Sequence, residues 1–327
     1  MSDLNKRTAQ KGQQRLPLRR LRQWEAMKFG GFIHFGMSTF DGQELSRGER
    51  PSTDYCPRRV DVDQWVSVMR DAGMKYAVLT AKHVSGHCLW PSKLTDYHVG
   101  TSGNSKDVVG AFVDACRKRG IVPGFYYCSW DNHHLFGSMT PSMTDWYQAF
   151  TTGEYHEFQS GQIRELLTQY GPWGEVWIDI PHVLGRGYRT QLYGEIAALQ
   201  PDAVIVMNSG ISNAAEYPVA KAWPADIITM ERTAPYSVTG YQKWREIEGE
   251  FYYLPGEVCD TVCHEWFHVE GDRLRSDAEL LGMYLSSVSR GANLLLDAGP
   301  AKDGRLPAPV VRALLRLQKN ITRVGAI

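Results

Sequence analysis

Strand-like and helix-like segments alternate about eight times along this chain of 327 residues, and few folds absorb such a rhythm. A short apolar run bounded by Gly or Pro reads as a buried strand. Apolar residues three and four apart, closed by glycine, read as a helix. On these rules strands are expected at 29–36, 76–83, 122–128, 175–180, 203–208, 226–231, 257–261 and 293–299. Helices are expected at about 62–73, 106–119, 154–170, 188–199, 277–289 and 307–323. The segments 209–225 and 232–256 show no clear helix and read as long loops, which in compact domains usually serve function. The pattern predicts an α/β chain folded as a (β/α)₈ TIM-type barrel. One barrel domain is expected over 23–327. Residues 1–22, rich in Lys, Arg and Gln, read as a flexible basic N-terminal arm.

Composition removes several function classes. Lys plus Arg and Asp plus Glu both number 36, so no global field draws nucleic acid or an acidic membrane. The six cysteines form no C-x-x-C pair. Cys259, Cys263 and His264 lack a second ligand pair at usable spacing, so neither a metal nor a cofactor is expected. No apolar run approaches the ~20 residues of a membrane span, and the first 22 residues hold no signal-like apolar stretch. The expectation is a soluble, cytoplasmic chain with no nucleic-acid or membrane partner; homo-oligomerisation stays open.

In such barrels the chemistry sits at the C-terminal ends of the strands. The residues at or just past those ends are His34, His83, Tyr126, Tyr127, Asp179, Asn208, Glu231 and Asp297. Taken singly, each has a bland reading. An Asp closing an apolar strand is more often a hydrogen-bonded core group, and a lone His a satisfied structural one. Together they make a polar cup with aromatic walls. The chain has neither a Gly-rich phosphate loop nor a G-x-S-x-G elbow, so carboxylate chemistry is the natural choice. Two carboxylates around a small polyol is the arrangement of glycosidases. Asp179, after Trp177 on a rigid strand end, suits a nucleophile. Glu231, two strands further round, suits the group that protonates the leaving oxygen.

The stretches Phe29-Gly-Gly-Phe-Ile-His-Phe-Gly36, Asp71-Ala-Gly-Met-Lys-Tyr76, Leu79-Thr-Ala-Lys-His83, Cys88-Leu-Trp-Pro-Ser92, Gly124-Phe-Tyr-Tyr127, Val176-Trp-Ile-Asp179, Glu257-Val-Cys259 and Arg290-Gly-Ala-Asn-Leu-Leu-Leu296 follow one another along nearly the whole chain. In them the chain resembles the α-L-fucosidases of glycoside hydrolase family 29. The details around Glu44 and Trp266-Phe267 are closer to the branch that prefers α-1,3/1,4-linked fucose. The resemblance implies an exo-acting, retaining hydrolase that releases fucose from fucosylated oligosaccharides or glycoconjugates through a covalent glycosyl-enzyme. Asp179 matches the nucleophile. His34, Glu44, His83, Tyr127 and Trp177 match sugar-binding positions. For the acid/base, Glu231 leads, with Glu216 and Glu257 as alternatives. Many relatives carry a C-terminal β-sandwich; the expectation here is a catalytic domain alone.

Two departures bear on the sugar. Val84 stands where relatives place a second histidine that helps hold an axial hydroxyl, and Leu45 replaces a tryptophan. A hydroxyl buried without its partner costs about 1–3 kcal/mol, enough to change sugar preference. Two other readings are therefore carried forward: the same scaffold acting on another deoxy or galacto-configured sugar, and a non-catalytic carbohydrate-binding protein.

Overall fold

Ten strands follow one another among the described residues: β1 (Phe29–Ile33), β2 (Tyr76–Lys82), β3 (Val122–Cys128), β4 (Glu175–Asp179), β5 (Val204–Asn208), β6 (Ile228–Glu231), β7 (Trp244–Ile247), β8 (Glu250–Tyr253), β9 (Gly256–Thr261) and β10 (Ala292–Asp297). The computed structural model describes residues 12–135, 152–208, 210–238 and 240–325. Eight of the strands form one parallel sheet in the order β5-β4-β3-β2-β1-β10-β9-β6. They are buried along almost their whole length, as parallel strands covered on both faces must be. The sheet curls until its ends meet. At that seam the Asp226 N–H donates to the Ile205 carbonyl at 2.8 Å, and the Asp226 carboxylate accepts from the Ile205 N–H at 2.9 Å. The barrel is thus closed partly by a side chain, and β7 and β8 stand outside it as an antiparallel hairpin.

The covering helices start and stop where local chemistry directs. Asp61 caps the helix Val62–Asp71 by accepting from the Gln64 N–H. Asp63 pairs with Arg119 on the neighbouring helix Val108–Arg119. Asp107 caps that helix, and Gly120 in the left-handed conformation ends it. Ser276 and Glu279 form a reciprocal capping box on Asp277–Val288. No described helix is long and apolar enough to cross a membrane.

The floor of the barrel is polar. The Glu257 carboxylate accepts from Tyr76 OH at 2.6 Å and from the Trp177 indole N–H at 3.0 Å. Glu175 accepts from the Trp24 indole at 2.9 Å. Gly30 makes room for this set: a Cβ there would fall 2.4 Å from the Tyr76 ring. Burial pushes the Glu175 carboxyl far above its usual range and Glu257 up to about 7, so the two adjacent acids are not both ionised at neutral pH.

Trp24 corrects the expected flexible arm. Residues 1–11 lie outside the described residues. From residue 12 the chain is tied to the barrel, and Leu18–Glu25 is a helix with Leu21 and Trp24 fully buried. Arg15 reaches the seam, bonding Asp226 Oδ2 at 2.5 Å and the Ala203 carbonyl at 2.6 Å. The basic residues that suggest a solvated arm are partly anchors, and Leu16, Leu21 and Trp24 form the apolar stripe that docks them.

Candidate active site

Side chains on a strand alternate between faces, so parity decides which strand-end residues meet. On β4, Glu175, Trp177 and Asp179 face the barrel axis. Asp179 sits at the rim, where the Tyr126 hydroxyl donates to its Oδ2 at 2.6 Å and the Asn208 amide donates to its Oδ1 at 2.8 Å. The same Asn208 nitrogen donates to Glu231 Oε2 at 3.1 Å. Asn208 is itself fixed by the Thr229 hydroxyl, which donates to its Oδ1 at 2.9 Å. On β2 a bulge between Thr80 and Lys82 shifts the register. It turns His83 inward, where its ring stacks on Tyr126 with centroids 5.4 Å apart. The buried Nδ1 of His83 has no hydrogen-bond partner among the described residues. His34 is tied through Nδ1 to Asp297 Oδ1 at 2.8 Å, which leaves Nε2 as the ring nitrogen available to a ligand.

These groups line one blind cavity. Its narrow inner end is walled by Phe32, Tyr126, Trp177 and Trp266. Its mouth, about 450 Å³, adds Leu45, Val84, Ile180, His182, Ile211 and Lys221. Glu44, His83, Asp179, Asn208 and Glu231 line both parts. Among the described residues no three His, Cys, Asp or Glu side chains converge to hold a metal ion.

The carboxyls are not equivalent. Burial raises Asp179, but bonds from Tyr126, Asn208 and the Ile180 N–H stabilise its charge. Burial and the charge of Asp179 both raise Glu231, which Asn208 and nearby Arg232 oppose. Burial, and then Glu231, push Glu44 up to about 7. Burial also keeps His34 neutral, with its pKa lowered to about 3.

Three of the expected site residues belong elsewhere. Tyr127 points away from the axis, as its parity requires. Its hydroxyl donates to Gln162 at 2.7 Å and accepts from Lys82 at 3.1 Å, behind the wall; Tyr126 is the tyrosine in the site. Glu216 is exposed on its loop and does not line the cavity. Glu257 is sealed in the barrel floor, where it holds Trp177 from below. His34, Glu44, His83, Trp177, Asp179 and Glu231 do converge. Arg232 went unnoticed in the sequence, since only its strand-end position marks it.

Comparison with known proteins agrees with this geometry. The family model described as alpha-L-fucosidase matches residues 49–325. The chain belongs to the alpha-L-fucosidase family. Alpha-L-fucosidase 1 of Arabidopsis thaliana is 31% identical over 317 residues, covering 91% of this chain and 59% of the relative. The structure of alpha-L-fucosidase isoenzyme 1 from Paenibacillus thiaminolyticus superposes with a TM-score of 0.79 at 28% identity, over 94% of this chain and 76% of that one. A glycoside hydrolase 29 family member from a rumen bacterium gives 0.75 at 26% identity, over 95% and 58%. This member of the alpha-L-fucosidase family thus spans about three fifths of its plant relative's length.

One consequence of the site is a pH-dependent cost. Between the ordinary carboxyl value of 4.5 and about 7, the folded fucosidase-family chain binds a proton at Glu44 more tightly than the unfolded chain does. Stability is therefore lost as pH rises through that window. Glu44→Gln is expected to be more stable than the parent at pH 8, by up to roughly 3 kcal/mol, and close to it at pH 4.5. Urea unfolding at the two pH values checks this. An equal difference at both would refute it.

Proposed function

We propose that this chain is an exo-acting retaining α-L-fucosidase, with Asp179 as nucleophile and Glu231 as acid/base. The observation that carries the reading is the single Asn208 nitrogen bonded to both carboxylates, at 2.8 and 3.1 Å. Those two oxygens lie no more than about 6 Å apart, near the separation of about 5–5.5 Å typical of retaining enzymes. The donor count supports these roles. Asp179, with several donors, stays ionised and attacks the anomeric carbon. Glu231, repelled by it, holds the proton for the leaving oxygen and then, deprotonated, draws a proton from water. The blind inner end supports attack on a terminal sugar. His34 and the unpartnered nitrogen of His83 supply polar contacts for its hydroxyls. The details around Glu44 add α-1,3/1,4 linkage to the proposal.

A second reading has its own observation. Val84 is buried and lines the cavity mouth next to His83, so an apolar surface stands where relatives have a hydroxyl-binding histidine. It favours another deoxy or galacto-configured sugar with the same mechanism. Turnover of 4-nitrophenyl α-L-fucoside against a panel of aryl glycosides separates the two. The fucoside is expected to give the highest kcat/KM. Strong turnover of another glycoside with none of the fucoside refutes the first reading.

A further inference from the structure

Each of the two carboxylates is followed by a non-glycine residue in the left-handed conformation: Ile180 at φ 51° and Arg232 at φ 53°. L-residues enter this region at a cost and stay only where their surroundings impose it. At Ile180 the chain is turning into the short 3-10 segment Pro181–Val183, and local geometry accounts for the kink. At Arg232 the strand pairing has not ended, because its N–H still donates to the Cys259 carbonyl at 2.9 Å. The kink serves the side chain. The guanidinium carbon stands 4.9 Å from the centre of the Trp266 ring, and Trp266 walls the inner cavity beside Glu231. Among the described residues no oxygen accepts a hydrogen bond from this guanidinium. It is held by a ring face and by its own backbone.

We propose that Arg232 is a positioning residue of the carboxyl site: its left-handed turn seats the guanidinium on Trp266 as the fixed positive charge of a cluster built from Asp179, Glu231 and Glu44. The proposal rests on the reading of Glu231 as acid/base. Its charge opposes burial at both Glu231 and Glu44, drawing each carboxyl back toward its ordinary range. The other groups around Glu231 are Asp179 on β4, the Asn208 amide on β5, and Cys259 and Asp260 on β9, with Lys221 and His182 further out on the cavity mouth. Asp260 is itself paired with Arg275 at 3.1 Å. Glu44 and Glu265 approach from loops, and His34 and Asp297 from β1 and β10. With Arg232 in place, Glu231 gives up its proton readily. Without it, the carboxyl clings to that proton and is a weaker acid.

The test compares Arg232→Gln, Arg232→Lys, Arg232→Ala and Arg232→Gly with the parent on a fucosylated oligosaccharide, whose leaving oxygen needs the proton of Glu231. For Arg232→Gln the basic limb of the kcat/KM profile is expected to move up by roughly 0.5–1 pH unit, as loss of a nearby opposite charge requires. kcat/KM should fall about tenfold, and Arg232→Lys should return the limb toward its parent position. Arg232→Ala and Arg232→Gly lose the same side chain, so their difference reports the backbone alone. The glycine variant is expected to melt roughly 1–2 °C higher. An unmoved limb in Arg232→Gln, or a glycine variant no more stable than the alanine one, overturns the proposal. Should the parent hydrolyse no glycoside, the fucosidase reading fails. The proposal is then decided by carbon-13 NMR titration of the Glu side-chain carboxyls. A raised Glu231 midpoint in Arg232→Gln supports it, and an unchanged one overturns it.

Discussion

Asp179→Gly is expected to lower kcat on 4-nitrophenyl α-L-fucoside by roughly ten-thousand-fold or more, because no covalent intermediate can then form. The backbone should tolerate the change, since Tyr126 and Asn208 lose only a rim acceptor. Sodium azide then discriminates between roles. In this variant azide enters the space the carboxylate vacated and attacks the anomeric carbon as the glycosidic C–O bond breaks. Glu231 protonates the leaving oxygen, and the product is the fucosyl azide of inverted, β configuration. NMR of the product reads the configuration directly. A variant that keeps parental kcat, or azide product of retained configuration, shows that Asp179 is not the nucleophile.

Glu231→Ala gives the second large effect, and its size depends on the leaving group. A sugar hydroxyl cannot depart without a proton, so hydrolysis of a fucosylated oligosaccharide should fall on the order of a thousandfold. 4-Nitrophenolate leaves unaided, so the first step with the aryl fucoside suffers much less and the glycosyl-enzyme accumulates. Azide then attacks that intermediate and gives the azide of retained, α configuration. The basic limb of the pH profile should vanish with the carboxyl that produced it. Glu216→Ala, on an exposed loop outside the cavity, should keep activity within twofold. If azide instead rescues Glu216→Ala, and Glu231→Ala behaves like the parent, the acid/base lies on that loop.

The barrel was legible because its signal is repetitive. Each of β1 to β6, and then β9 and β10, is an apolar run with turn residues at its ends, and the observed strands fall inside or close to the expected ranges. The hairpin Trp244–Ile247 and Glu250–Tyr253 was not legible. Its strands are four residues long and only partly buried, too short for alternation to stand out. The helix Leu18–Glu25 was masked by arginines at four of its positions or flanks, whose charge outweighs two buried apolar residues in any compositional reading.

The site followed the same logic. Asp179, Glu231, His34 and His83 were found because they end strands. Tyr127 was misplaced by one residue, and on a strand one residue is the whole difference between axis and outer face. Applied to β4, that parity puts Trp177 and Asp179 on one face. Applied to β3 it follows only once the pairing Tyr126 with Trp177 and Tyr127 with Ile178 is known. Glu257 needed three dimensions, since only the structure shows that its oxygens are occupied by Tyr76 and Trp177. Arg232 needed a backbone angle, which no residue type announces.

The helix Leu18–Glu25 has a consequence for the order in which the fold can be completed. Trp24 bonds Glu175, and its carbonyl accepts from Asn293 at 3.1 Å, so its partners lie 151 and 269 residues further along the chain. During synthesis this segment emerges early and waits longest. Its docking site does not exist until the last strand has been made, and contacts between such distant residues form slowly because a long loop must close first. The helix is therefore a latch rather than a nucleus. It is thrown once the ring of strands is complete, and it fixes from beneath the acid floor on which Trp177 stands.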